Sequence, residues 1–156
     1  MLTVSSSRYI LASQGQPVTD ESGDLAAERL QAAGHRVVSK RIIDDSADMI
    51  RAEVLRAVYE QDVDAVLLAG GTGLAKRDLT IEAVRPLLDK ELAGFGELFR
   101  MVSYQKIGSP AVLTRALAGT ITGHLVFCLP GSPDAVATAL DLILLELPHA
   151  VSIARG

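Results

Sequence analysis

Short, nearly continuous apolar runs alternate along this chain with longer segments whose apolar residues recur at helical spacing. Such runs are typical of buried strands, and the longer amphipathic segments are typical of helices packed against a sheet. The predicted strands are residues 2–4, 36–43, 63–69 and 124–129. The predicted helices are residues 25–33, 47–60, a segment beginning at Thr80, 94–104, 111–118 and 134–147. The alternation predicts an α/β fold with helices on both faces of a mostly parallel sheet.

Glycine, proline and polar residues mark several of the predicted boundaries. Gly119 is expected to end the helix 111–118. Pro86 is expected to end or kink the helix that begins at Thr80, because proline has no N–H to donate within a helix. Residues 5–17 are predicted to form a polar loop after the first strand.

Two predicted elements carry information about their surroundings. Strand 36–43 is more amphipathic than the others, which indicates a position near the edge of the sheet. Helix 134–147 is apolar on most sides, so it lies either deep in the core or against another subunit.

Composition narrows the class of protein. The 156 residues are most simply one domain, residues 1–156, and are long enough to bury a core. A formal net charge of −4 argues against a nucleic-acid partner, which usually requires a basic face. A local group of Lys and Arg would still suffice to bind a small anionic ligand.

The remaining exclusions concern disulfides, metals and membranes. The single cysteine, Cys128, cannot form an intramolecular disulfide and is predicted to be a small core residue. The three histidines have no metal-ligand spacing. No apolar run approaches the length of a membrane span, and the first residues do not resemble a secretory signal, so the expected location is the cytoplasm.

The polar and glycine-rich turns of the predicted fold follow its strands. Ligands of open α/β sheets bind beyond the carboxyl ends of the strands. The segments that leave those ends are residues 5–7, 44–45, 70–73 and 130–132. We therefore expect them to converge on one rim of the sheet and to form the binding site.

The glycine-rich segment 70–73 follows a buried strand and precedes a helix. Adjacent N–H groups in such a loop can cradle a phosphate. The segment is not a Walker A loop, nor is it GxGxxG, since Lys76 stands where the third glycine would be. The alternative is a tight turn without a ligand.

Carboxylates and further polar groups accompany this loop. Asp44 and Asp45 could coordinate Mg²⁺, although Asp45 or Ser46 could equally cap the following helix. Asp78 could be a second metal- or phosphate-positioning carboxylate, or simply a favourable charge at a helix N-terminus. Segment 130–132 could offer backbone N–H groups and a hydroxyl, or be only a turn. Three cations are interpreted as solvated surface charges: Arg100, Lys106 and Arg115.

No nucleophile motif accompanies these groups. Direct transfer on a metal-bound nucleotide, catalysed by positioning and charge neutralisation, therefore fits the residues best.

Several motifs in a fixed order resemble the molybdopterin-binding adenylyltransferase family. The resemblance covers nearly the whole chain and includes segments 3–5, 20–23, 44–45, 70–80, 89–100, 103, 114–115 and 130–132. Residues 90–100 are most similar to the molybdenum cofactor biosynthesis protein B branch.

The resemblance implies a three-layer α/β/α domain that binds molybdopterin and adenylylates it with Mg-ATP, releasing pyrophosphate. It assigns catalysis and Mg²⁺ binding to Asp44 and Asp78. The ligand-binding residues that it implies are Ser5, Gly70, Gly71, Thr72, Gly73, Ser103, Pro130, Gly131 and Ser132. It also implies a homotrimer or homohexamer.

Two departures from the family pattern accompany the match. Ser6 stands where Asp or Asn is common, and no proline precedes Asp44. The alternatives are a non-catalytic molybdopterin- or nucleotide-binding protein of the same pathway, and a structural assembly protein.

Overall fold

A six-stranded sheet forms the centre of the molecule in the computed structural model, which describes residues 1–156. The strands are β1 (Leu2–Val4), β2 (Arg41–Ile43), β3 (Ala65–Ala69), β4 (Lys90–Glu91), β5 (Leu117–Ile121) and β6 (His124–Leu129). Their order across the sheet is β2-β1-β3-β6-β5-β4. The pairs among β2, β1, β3 and β6 are parallel, whereas β5 is antiparallel to both neighbours. Only β5 runs against the other strands, which confirms the predicted mostly parallel sheet.

Helices cover both faces of this sheet. They are α1 (Ser6–Ser13), α2 (Glu21–Ala32), α3 (Ala47–Tyr59), α4 (Thr80–Val84), α5 (Ala93–Ile107), α6 (Pro133–Ile143) and α7 (Leu147–Arg155). Because side chains alternate along a strand, Leu68 packs with α3 and α4 on one face, and Leu67 packs with α2, α5, α6 and α7 on the other. The predicted three-layer α/β/α arrangement is confirmed.

Six of the predicted strands and helices form close to their predicted bounds. These elements are β1, β3, β6, α2, α3 and α5. The chain also leaves the helical ladder at Pro86, where Arg85–Leu87 forms a 3₁₀ turn.

Helix α1 occupies residues predicted to be loop, so that prediction is wrong. Ser5 begins the helix with an extended backbone, and its hydroxyl accepts a hydrogen bond from the N–H of Arg8 at 3.4 Å. No residue of α1 is buried. The helix therefore lacks the apolar stripe from which helices are predicted.

The predicted helix 111–118 is also wrong. Ser109–Leu113 forms a 3₁₀ turn, and the residues that follow form strand β5. Leu117 packs on one face of the sheet, whereas Ala116 and Ala118 pack on the other. This alternation is that of a strand, and pairing with β6 on one side and β4 on the other stabilises it.

Two further predicted elements are shorter than expected. Only Arg41–Ile43 of the predicted strand 36–43 pairs, at the edge of the sheet as predicted. The predicted final helix 134–147 ends already at Ile143, and α7, which begins at Leu147, was not predicted. Pro148 lies in the first turn of α7, where a missing N–H is tolerated. The guanidinium of Arg155 ties α7 to Asp62 and Asp64 at 2.9 and 3.0 Å.

The burial of Cys128 tests the prediction made for this residue. Cys128 is fully buried in β6, and burial raises the pKa of its thiol. The prediction of a core cysteine is thus confirmed.

No single helix is long and apolar enough to cross a membrane; α6 and α7 pass that test only as a pair bent by 67°.

Candidate functional site

The four segments that follow β2, β1, β3 and β6 meet at one rim of the sheet. The N–H of Ser5 donates to the carbonyl of Ile43 at 3.0 Å, and the N–H of Gly70 donates to the carbonyl of Leu129 at 2.9 Å. The Cα of Gly70 would lie 3.1 Å from a Cβ added to Gly131. The predicted convergence is confirmed for segments 5–7, 44–45, 70–73 and 130–132.

Residues 70–78, which we term the glycine loop, have a backbone that side chains would disrupt. Gly70 and Gly71 have φ angles of 108° and 65°, in the left-handed region that favours glycine. A Cβ on Gly70 would also collide with the carbonyl of Val4, and one on Gly71 with the hydroxyl of Thr80. These two glycines allow β3 to turn sharply against the end of β1.

The glycine loop presents a row of free backbone donors. The N–H groups of residues 71–74 make no hydrogen bond within the chain. Two neighbouring carbonyls are held by Thr80: its hydroxyl donates to Gly70 at 2.7 Å, and its N–H donates to Gly71 at 2.9 Å. Consecutive free N–H groups form a concave site for an anion. The geometry favours a phosphate cradle over a simple turn.

Thr72 adds a hydroxyl to these donors. The residue is only 5% exposed, yet its side chain makes no hydrogen bond within the chain. No buried side-chain oxygen lacks a partner, so the Thr72 oxygen must reach solvent. It is therefore available to a ligand at the rim.

Asp44 and Asp45 differ in what their carboxylates do. Asp45 accepts a hydrogen bond from the hydroxyl of Ser6 at 3.1 Å. Asp44 is half-buried, and its carboxylate has neither a hydrogen bond nor an ion pair within the chain. Ser46 caps α3 by accepting from the N–H of Met49 at 3.3 Å. The capping role thus falls to Ser46, and Asp44 is free for a ligand or metal.

Asp78, the last residue of the glycine loop, stabilises the loop through one of its carboxylate oxygens. One carboxylate oxygen, Oδ2, accepts from the N–H of Ala75 at 2.9 Å, and the other makes no hydrogen bond. The chain holds no group of three or more His, Cys, Asp or Glu side chains that could by themselves hold a metal ion. A cation at Asp44 or Asp78 would need further ligands from a substrate.

The segment 130–132 is held against α2 and α6. The hydroxyl of Ser22 donates to the carbonyl of Gly131 at 2.6 Å, and Ser132 caps α6 by accepting from Ala135 at 3.2 Å. The N–H groups of Gly131 and Ser132 have no partner within the chain. They add two donors to the rim.

Ser103 is not connected to this rim. It lies buried in α5, and its hydroxyl donates to the carbonyl of Phe99 at 2.7 Å in its own helix. No hydrogen bond links it to the segments that follow the strands. The hydrogen bond of its side chain is therefore entirely local.

Two cations lie within the glycine loop. Lys76 and Arg77 are exposed and form no ion pair. They can supply positive charge to an anionic ligand without first breaking a contact within the protein.

Two residues that shape the site were not predicted to do so: Thr80 and Ser22. Thr80 was interpreted only as a helix start, and its burial was not foreseen. A threonine or serine close to a glycine turn can bond the backbone there, which is the one local signal that could have indicated these roles.

A large cavity lies elsewhere. Its volume is about 470 Å³, and its lining includes residues that precede β2 and β3, among them Val37 and Val63. It lies at the amino ends of the strands and is mostly apolar. It contains none of the predicted ligand-binding residues.

Comparison with known proteins agrees with this geometry. Residues 1–149 match the family described as "Probable molybdopterin binding domain". A Bacillus cereus protein named molybdenum cofactor biosynthesis protein B is 55% identical over 133 residues, which cover 84% of this chain and 79% of that protein. A Methanocaldococcus jannaschii protein named probable molybdopterin adenylyltransferase is 41% identical over 149 residues, or 96% of this chain and 88% of that protein.

A solved structure shares the fold over nearly the whole chain. The crystal structure of a molybdenum cofactor biosynthesis protein B superposes with a TM-score of 0.90 and 49% sequence identity. The match covers 98% of this chain and 92% of that one.

Proposed function

The chain belongs to the probable molybdopterin binding domain family, and on that premise we propose that it binds molybdopterin and adenylylates it with Mg-ATP in molybdenum cofactor biosynthesis. The observation that carries the proposal is the row of four free N–H groups at residues 71–74, at the same rim of the sheet as the unpartnered carboxylate of Asp44. Phosphates require such donors. We expect the protein to act in the cytoplasm.

The proposed reaction exchanges one phosphorus–oxygen bond for another. An oxygen of the terminal phosphate of molybdopterin attacks the α-phosphorus of ATP. The bond from that phosphorus to its bridging oxygen breaks, and pyrophosphate leaves. Positioning and charge stabilisation supply most of the catalysis in such reactions.

Each part of the rim has a role in this reaction. The N–H groups of the glycine loop bind phosphate oxygens, and Lys76 and Arg77 offset their charge. The N–H groups of Gly131 and Ser132, which follow the neighbouring strand β6, provide a second set of donors. The two sets give one site room for two phosphorylated substrates.

The carboxylates fit Mg²⁺. Asp44 has a free carboxylate, and Asp78 has one free oxygen. Mg²⁺ is commonly held by one or two carboxylates together with substrate phosphates, which matches this sparse set. When bound, Mg²⁺ would neutralise phosphate charge.

An adenylylation assay tests the proposal. Wild-type protein mixed with molybdopterin, ATP and Mg²⁺ should release pyrophosphate and form adenylylated molybdopterin. Asp44→Asn and Asp78→Asn should lower turnover on the order of 100-fold, because each removes charge from the reacting phosphates. Asp48→Asn is the matched control, since the Asp48 side chain is fully exposed at the start of α3. Unchanged turnover in the first two variants would remove both carboxylates from the mechanism.

A second candidate is a binding protein without turnover. One carboxylate oxygen of Asp78 already accepts a hydrogen bond from the glycine loop. This bond supports a structural role for Asp78 in a loop that binds a ligand. Calorimetry that detects molybdopterin binding, together with no pyrophosphate release by folded protein, would favour this candidate over the enzyme.

We also propose that the protein forms a homotrimer or homohexamer. Four apolar side chains at intervals of three residues form an exposed stripe that winds around α5: Leu98, Met101, Tyr104 and Ile107, each at least 50% exposed. Val112 and Leu113, which follow the helix, are also exposed. A concentration of exposed apolar side chains of this kind is typical of a protein interface.

A further inference from the structure

Arg115 reaches the glycine loop from a distant part of the sequence. It lies between the 3₁₀ turn Ser109–Leu113 and β5. Its Nη1 donates to the carbonyl of Gly73 at 3.1 Å, and its Nη2 contacts the carboxylate of Glu82 in α4. The sequence indicated a solvated surface charge, but this guanidinium is bound on both sides.

The geometry of the peptide bond makes the contact with Gly73 informative. A trans peptide holds its C=O and its N–H on opposite sides. The carbonyl of Gly73 and the N–H of Leu74 belong to one peptide unit. A donor that fixes this carbonyl therefore fixes the direction of the Leu74 N–H, which is one of the four free donors. A cationic donor also polarises the unit and strengthens that N–H as a donor.

The same arrangement occurs in two other peptide units of the loop. The hydroxyl of Thr80 holds the carbonyl of Gly70 and so aims the N–H of Gly71. The N–H of Thr80 holds the carbonyl of Gly71 and so aims the N–H of Thr72. Three of the four free N–H groups are thus aimed by a bond to the carbonyl of the same unit. Arg115 aims one of the two that Thr80 does not reach, the N–H of Leu74.

We propose that Arg115 is a positioning residue that aims the Leu74 N–H of the glycine loop at a phosphate group of the ligand. This inference rests on the proposed function for the identity of the ligand. It does not rest on it for the order of the loop, which is a property of the free protein.

Glu82 completes the arrangement by holding the guanidinium. An exposed ion pair contributes little to stability by itself. Its effect here is geometric, because it restricts the rotamers of Arg115 to those that reach Gly73. Glu82→Gln should therefore weaken the loop less than loss of Arg115, since an amide oxygen can still accept from the guanidinium.

The first experiment measures the loop in the free protein by NMR. Arg115→Met keeps the aliphatic stem but removes both hydrogen bonds, so the N–H of Leu74 should become more mobile and its order parameter should fall. Arg115→Lys, which keeps one cation, should restore part of the order. Arg85→Met is the control, because Arg85 makes an exposed ion pair with Glu91 and has no contact with the loop. An unchanged Leu74 amide in Arg115→Met would overturn the inference.

The second experiment measures ATP binding by calorimetry. Arg115→Met should lower the affinity for ATP about 10-fold, the effect of losing one well-directed donor to a charged group, with the melting temperature nearly unchanged. A mobile loop with ATP affinity unchanged would also overturn the inference. Failure of the wild type to bind ATP would instead contradict the proposed function, and the NMR result alone would then decide whether Arg115 orders the loop.

Discussion

Thr80 shows how one buried residue can organise a binding loop. It is fully buried, and its hydroxyl and N–H hold the carbonyls of Gly70 and Gly71. Each bond satisfies a carbonyl that would otherwise have no partner in a tightly packed turn. The first residue of α4 therefore holds the beginning of the glycine loop in place.

Replacing Thr80 tests this arrangement. Thr80→Val keeps the shape but removes the hydroxyl, so the buried carbonyl of Gly70 loses its partner. We expect a loss of about 1–3 kcal/mol in the free energy of unfolding and weaker ATP binding. Denaturant unfolding and calorimetry measure the two effects.

Thr19→Val is the matched control, because Thr19 is exposed and its side chain makes no hydrogen bond. If Thr80→Val were as stable as the control and bound ATP equally well, the hydroxyl of Thr80 would have no role in the loop.

At the scale of elements, β5 depends on close contact with its neighbours. Gly119 lies in the middle of β5, and a Cβ there would collide with the carbonyl of Lys90 in β4 and lie 2.7 Å from Cδ1 of Leu88. The glycine that was expected to end a helix instead lets two strands approach each other.

Two glycine substitutions distinguish these environments. Gly119→Ala should destabilise the protein by about 1–3 kcal/mol, since backbone and side-chain atoms must move to admit the methyl group. Gly94→Ala should stabilise it by up to about 1 kcal/mol, because Gly94 lies in α5 with no atom within 4 Å of the added Cβ. Thermal unfolding of both variants measures the difference, and equal melting temperatures would contradict this description of β5.

At the scale of the whole molecule, the order of the strands creates the site. The chain passes from β1 to β2 on one side and later to β3 on the other side of β1. The loops that leave β1 and β3 therefore diverge, and a crevice opens between them. The glycine loop and Ser5 lie on its two sides. The topology thus explains why ligand-binding groups gather there.

The exposed stripe on α5 makes a prediction about assembly. Wild-type protein should have a mass near three or six times 16.5 kDa in sedimentation. Met101→Glu combined with Ile107→Glu should give a smaller species, because a charge buried in an apolar interface is unfavourable. Ile153→Glu is the control, since Ile153 is an exposed apolar residue on α7. A monomeric wild type at micromolar concentration would contradict the proposal.

The sequence by itself determined those parts of the molecule that have a local signal. Strands β3 and β6 are continuous apolar runs, and α3 carries its own apolar stripe. The glycine loop was identified from three glycines within four residues after a buried strand, and two of them have the left-handed backbone that glycine tolerates. The rim followed from chain order and from the rule that ligands bind at the carboxyl ends of strands.

The tertiary structure decided which groups are already bonded and which are free. The hydroxyl of Ser103 donates to a carbonyl of its own helix, and the carboxylate of Asp45 accepts from Ser6. The guanidinium of Arg115 donates to the glycine loop. Segment 117–121 became a strand because β4 and β6 lie on its two sides. Apart from Ser103, whose partner lies in its own helix, these outcomes depend on partners that are distant in sequence. A hydrogen bond between distant residues leaves no periodic or compositional mark on either of them.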